Sequence, residues 1–147
     1  MLNLGFETTA TLVSLALYCL ACDHRVQDKL LDELEELGEL DYHKAMTAPY
    51  LDAVVQETLR LYPPAPVIDR EAAQDYTIPG TDITIEKGTD VLIPVYAIHM
   101  DPHNYPKPHL WTPERFLPDN RSNIAPYTYL PFGAGPRNCI GGYRWVK

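Results

Sequence analysis

The chain has 147 residues, 46 % of them apolar and 22 % charged, which fits one folded domain and excludes a disordered tail. Its net charge of −8 is uneven, with 18 acids against 6 Lys or Arg in residues 1–101 and 2 acids against 6 in residues 102–147. An acidic body argues against nucleic-acid binding, while the basic end leaves room for an acidic partner.

Leu4 to Cys22 is apolar on nearly every side, which predicts a helix buried on most of its faces. Its uncharged run, Ala10 to Cys22, has 13 residues, short of the roughly 20 that span a bilayer. No basic stretch precedes it, so it does not read as a signal peptide. Asp23 is placed to cap a second helix with an apolar stripe of Val26, Leu30, Leu34 and Leu37 and a stop at Gly38. Asp32, Glu33, Glu35 and Glu36 fall on the opposite, solvated face. A third helix is predicted from "TAPY", with Thr47 as its cap and Pro49 in its first turn, ending before Pro63 and Pro64.

The period then changes from helical to alternating. "DITIEKGTDVLIPV" predicts a β-hairpin, with Ile83 and Ile85 on one strand, a turn at "EKGT", and Val91, Ile93 and Val95 on the other. Beyond Ala97 periodicity fades, and 8 of the 14 prolines lie between Asp101 and Arg137. The expected fold is therefore mainly α, with a small β-hairpin region and a long proline-rich coil. Coils of that length inside compact domains usually serve a function. Three cysteines make no disulfide framework, which points to a reducing compartment. Cys19 and Cys22 lie in a predicted helix without a second pair, so both read as core. His99 and His103 have ligand-like spacing but no cysteines or carboxylates to complete a zinc site.

The coil leads into "FGAGPRNCIG", Phe132 to Gly141. Gly133 and Gly135 permit turns closed to other residues, and Gly141 leaves room for something flat and bulky. Arg137 sets a fixed cation two residues from the sulfur, suited to a carboxylate or phosphate. Backbone N–H groups after Cys139, at the start of a short helix, favour a thiolate. A metal-ligating thiolate with an anionic group nearby fits these features, and haem is one such partner. A buried structural cysteine in a glycine-rich turn fits the loop as well.

The loop resembles the haem-binding signature of the cytochrome P450 family of haem-thiolate monooxygenases, Phe-x-x-Gly-x-Arg-x-Cys-x-Gly. Phe132, Gly135, Arg137, Cys139 and Gly141 occupy its fixed positions. "ETLR" is similar to the family's Glu-x-x-Arg pair at Glu57 and Arg60, and "PERF" supplies Arg115 as the third member of that ionic network. "LGFETTA" resembles the oxygen-activation segment through Gly5, Glu7, Thr8 and Thr9, with Leu4 standing where the family has Ala or Gly. "APVIDR" resembles the strand along the haem edge.

The resemblance implies a haem cofactor with Cys139 as the iron's axial ligand, and Arg70 and Arg137 pairing the propionates. It implies Glu7 as proton supply, Thr8 as hydrogen-bond partner of the oxygen ligand, and Val67 and Ile68 facing substrate, although those two suit plain core equally. It further implies insertion of one atom of O2 into a lipophilic molecule, electrons from an NADPH-dependent reductase docking near Arg121, Arg137 and Arg144, and no nucleic acid. The tyrosine-rich approach to the loop is most similar to an animal microsomal branch at the cytoplasmic face of the endoplasmic reticulum membrane, anchored by segments this chain lacks. Residues 1–147 then form the C-terminal part of a single P450 domain. The chain starts midway in the oxygen-activation helix and stops six residues past Gly141, leaving the following helix too short to stand alone. The alternative is a truncated relic without catalysis that binds haem weakly or associates with partners.

Overall fold

A computed structural model describes residues 2–39 and 41–142, with the side chains of residues 2–5 left out. Leu4 and the helix expected beyond Gly141, with Arg144, lie outside the described side chains. Among the described residues six helices and four short strands follow one another, with the helices dominant. Helices α1 (Leu2–Cys22) and α2 (His24–Leu37) pack against each other and against α4 (Pro49–Leu61).

Helix α2 begins and ends as its sequence dictates. The Asp23 carboxylate accepts from Val26 N at 3.2 Å, and Gly38 takes φ 67° and donates to Glu35 O. Val26 and Leu30 are buried with Tyr50 and Val54, and Leu20, Leu34, Trp111 and Leu117 close that cluster. A short helix absent from the sequence expectation, α3 (Tyr42–Thr47), is capped by Asp41 through Lys44 N at 2.8 Å.

Because Thr47 ends α3, it does not cap α4; its hydroxyl donates instead to His43 O and Lys44 O. The α4 start is capped from another helix. Glu33, expected on a solvated face, turns both carboxylate oxygens onto the first turn and accepts from Tyr50 N at 2.7 Å and Leu51 N at 2.9 Å. The carboxylate satisfies two orphan donors and complements the positive helix end. Glu33→Ala is expected to cost about 1–2 kcal/mol, read as a lower chemical denaturation midpoint at unchanged m-value.

Helix α1 departs from expectation. Leu12 and Cys19 are buried, but Phe6 is 76 % exposed, Leu17 61 % and Tyr18 62 %. Helices α2 and α4 are its main packing partners among the described residues, and the exposed side chains show that its all-round apolar character is not fully used there. Cys22 is exposed as well, so of the two helix cysteines only Cys19 is core.

The hairpin is also different. Its two strands exist, but they belong to separate sheets. β1 (Ile68–Glu71) pairs antiparallel with β4 (Asp90–Ile93), Ile68 opposite Ile93 and Arg70 opposite Val91. β2 (Tyr76–Thr77) pairs with β3 (Thr84–Ile85). The turn at "EKGT" forms, with Thr89 N donating to Glu86 O and Gly88 at φ 84°, yet it carries the chain out of one sheet and into the other. The reason lies in a second turn at Pro79–Gly80. Proline and then glycine at φ 79° close it, with Thr81 N donating to Ile78 O, and this folds β3 back on β2. Gly88 N and Thr89 O meanwhile bond Ala72 and lay β4 along β1. Val95 opens helix α5 (Val95–His99) rather than extending the strand.

The coil behind α5 wraps back on α4. A 3-10 turn, Pro113–Phe116, packs on α4 and is followed by α6 (Pro118–Arg121). Phe116 and Tyr105 are buried against Ala53, with Leu117, Ile124 and Tyr129 around them. The coil is thus a packed layer that fixes the approach to the cysteine loop.

Candidate cofactor-binding site

The site is built outward from α4. Glu57 and Arg60, one helical turn apart, are both 0 % exposed and face each other across two hydrogen bonds of 2.7 and 2.9 Å. The guanidinium also reaches His99 O, Pro108 O and Leu110 O at 2.8, 2.8 and 3.3 Å, and lies over the Tyr105 ring at 5.0 Å. Glu57 in turn accepts from Thr112 N at 2.9 Å. Arg115 joins as an ion pair, its Nε 3.5 Å from Glu57 Oε1 without hydrogen-bond geometry, while its Nη2 donates to Pro106 O and Lys107 O. The structure therefore brings Glu57, Arg60 and Arg115 together, and their spare donors tie the coil at residues 99–112 to one helix.

A second charged node braces the same coil from outside. Glu114 Oε1 accepts from Arg25 at 2.5 Å, Lys29 at 2.7 Å and the Tyr50 hydroxyl at 3.2 Å. Burial alone would raise the Glu114 pKa; the Lys29 and Arg25 hydrogen bonds outweigh it and hold the carboxyl at about 2. Burial, then the Glu114 charge, push the Tyr50 phenol up to about 12. Since the folded pKa lies below the ordinary 4.5, this stabilisation is complete above pH 4.5 and is lost as pH falls toward 2. Glu114→Gln is expected to flatten the pH dependence of stability across that window, measured by urea titrations at stepped pH.

The cysteine loop closes on its own backbone. Gly133 N donates to Leu130 O, Asn138 N to Gly135 O, Cys139 N to Phe132 O at 2.8 Å, and Gly142 N to Cys139 O. Gly133 and Gly135 take φ of 73° and 80°, the left-handed region that glycine adopts without penalty. A Cβ on Gly133 would sit 3.4 Å from Ile68 Cδ1, so the loop lies against β1. A Cβ on Gly141 would meet the Cys139 sulfur at 3.6 Å. Arg70 on β1 donates to Arg137 O at 3.3 Å, which brings those two arginines to one place. Cys139 is exposed, and the adjacent Ile140 is 96 % exposed.

A family description, Cytochrome P450, matches residues 1–143. The chain belongs to the cytochrome P450 family. Cytochrome P450 6k1 of Blattella germanica is 46 % identical over 97 % of this chain and 29 % of its own length. Cytochrome P450 9e2 of the same organism and cytochrome P450 3A9 of Rattus norvegicus are each 48 % identical over 93 % of this chain, and over 27 % and 28 % of their own lengths. The chain spans less than a third of these P450 relatives.

The other candidate residues of this P450 chain lie on α1, at the start of β1 and on α6. Glu7 and Thr8 are exposed on α1, which packs on α2 and α4. Val67 is half exposed and Ile68 half-buried against the loop, so Val67 is not core. Arg121 pairs with Asp52 at 3.7 Å, and both Arg121 and Arg137 are exposed. No helix among the described residues is long and apolar enough to cross a membrane. Sequence reasoning gave no role to His99, which is fully buried between α4 and the coil leading to the loop, while His103 is exposed.

Proposed function

We propose that this chain is the haem-binding part of a monooxygenase that inserts one atom of O2 into a lipophilic small molecule. The observation that carries the reading is the presentation of Cys139. Its sulfur stands exposed on a loop locked by its own backbone, beside the open apolar Ile140 and close to the Arg70 guanidinium, which donates to the Arg137 carbonyl. Among the described residues no group of three or more His, Cys, Asp or Glu could hold a bare metal ion. A lone soft donor instead suits iron already held by a macrocycle, and the glycines at positions 133, 135 and 141 keep Cβ atoms out of its way.

In this reading Cys139 ligates the iron through its thiolate, Arg137 and Arg70 hold the propionates, and Phe132, Gly135 and Gly141 shape the cradle. Haem, when bound, supplies the dioxygen activation and oxygen transfer. Glu7 and Thr8 hold and pass protons along α1, and Val67 and Ile68 border the substrate. Glu57, Arg60 and Arg115 anchor the coil that carries the loop. Residues 1–147 form the C-terminal part of a single domain whose remaining segments supply most of the substrate pocket and the anchor to the cytoplasmic face of the endoplasmic reticulum membrane. An NADPH-dependent reductase docks at the basic surface around Arg137.

The test is the absorption spectrum of the protein carrying this chain, loaded with haem, reduced and exposed to carbon monoxide. The red-shifted band of a thiolate-ligated haem is expected. An unshifted band, or none, overturns the reading.

A further inference from the structure

His99 is 0 % exposed at the end of α5, and both ring nitrogens are bonded to backbone. Nε2 lies 2.8 Å from Leu130 N, and Nδ1 lies 3.1 Å from Arg60 O. An amide nitrogen only donates and a carbonyl only accepts, so the tautomer follows: Nδ1 carries the proton and Nε2 is the acceptor. The contact with Arg60 is mutual, because the Arg60 guanidinium donates to the His99 carbonyl at 2.8 Å. Each residue's side chain thus binds the other's backbone oxygen. The imidazole is stacked on Tyr129 at 5.6 Å and meets the edge of Tyr105 at 6.4 Å, which fixes its plane.

Leu130 is where the coil enters the cysteine loop. Its carbonyl accepts from Gly133 N, and the next turn of the same backbone is closed by Cys139 N on Phe132 O. One run of hydrogen bonds therefore passes from the end of α4 through the His99 ring to Leu130 and on to Cys139. We propose that His99 is a positioning residue, which couples the buried Glu57–Arg60 pair to the cysteine loop by holding the Leu130 amide and with it the direction in which Cys139 is presented. This rests on the haem-thiolate reading above. Burial, with the Arg60 charge beside it, lowers the His99 pKa to about 4, so the ring stays neutral and able to accept. The charged and titratable groups around it are Arg60 from α4 and Tyr105 and Tyr129 from the coil.

The test uses the haem-loaded protein carrying this chain and follows conversion of its CO-bound form from the red-shifted to the unshifted band. His99→Asn keeps a donor for Arg60 O but is too short to accept from Leu130; His99→Phe keeps the stacking and loses both bonds. Each is expected to convert on the order of tenfold faster than the parent, the factor of one lost buried hydrogen bond. His99→Gln, whose longer amide carbonyl reaches the Leu130 N–H, is expected to convert within about twofold of the parent, since it restores that bond. Equal conversion rates in the Asn variant and the parent overturn the proposal. So does a loss of band in all three variants that tracks their thermal stability, or failure of the Asn, Phe or Gln variant to fold. If the parent shows the red-shifted band and Cys139→Ser abolishes it, a negative result on His99 condemns the positioning role alone. If the parent lacks that band, the haem-thiolate reading has failed and this inference falls with it.

Discussion

A Cys139→Ser variant is expected to lose the red-shifted CO band entirely while keeping its fold. The two properties separate because the loop does not depend on the sulfur. The bond that closes it runs from Cys139 N to Phe132 O, and the neighbouring bonds from Gly133, Asn138 and Gly142 are also backbone to backbone. The side chain itself is exposed, so replacing sulfur with oxygen creates no cavity and buries no polar group. In the haem-free protein, stability should change by no more than about 0.5 kcal/mol, the range of surface substitutions. The chemistry changes completely. A cysteine thiolate is a soft, electron-donating ligand, while a serine hydroxyl is a hard oxygen donor. Denaturation curves that superimpose on those of the parent, together with a vanished band, would assign Cys139 as the ligand. A retained band would move the ligand elsewhere.

What was legible in the sequence were features carried by side chains at short range. The cap at Asp23 and the stop at Gly38 follow from local rules, and the structure shows both. The Glu57–Arg60 spacing placed two charges on one helical face, and the "PERF" arginine is found beside them. What was not legible were contacts made by backbone atoms, which leave no residue signature. The carbonyls of His99, Pro108 and Leu110 that receive Arg60 are of this kind. So are the two amides of α4 that Glu33 caps from a different helix. Strand pairing failed for a related reason. Alternation identifies a strand and a glycine identifies a turn, but neither says which edge the strand meets. The Pro79–Gly80 turn was the one available signal, and it decides that β3 returns to β2 and not to β4. Helix α1 shows the converse limit, since apolar residues on all sides specify a surface that can be buried without saying what covers it.

Glu57→Ala is expected to destabilise the protein by about 3–5 kcal/mol, a large share of the roughly 5–15 kcal/mol that holds a domain folded. An exposed pair at the same spacing would contribute only about 0.2–0.5 kcal/mol. The difference lies in what Glu57 leaves behind. Arg60 is fully buried, and removing the carboxylate strands its cation with uncharged partners, the backbone carbonyls and the Tyr105 ring. Arg115 loses its counter-ion at 3.5 Å in the same step, and Thr112 N loses its acceptor. Glu57→Gln separates charge from shape, because its amide oxygen can still accept from Thr112 while the two arginines remain uncompensated; it should fall between Ala and the parent. Arg60→Lys tests the other partner. An ammonium has three donors on a point charge, so it cannot span Glu57, His99 O and Pro108 O as the planar guanidinium does. Urea titrations should rank the parent first, then Glu57→Gln and Arg60→Lys, then Glu57→Ala. A Glu57→Ala variant within about 1 kcal/mol of the parent would mean that water or another cation partner reaches this pair. The coil and its cysteine loop would then owe their position to the packing of Tyr105 and Phe116 on Ala53 and not to the buried charges.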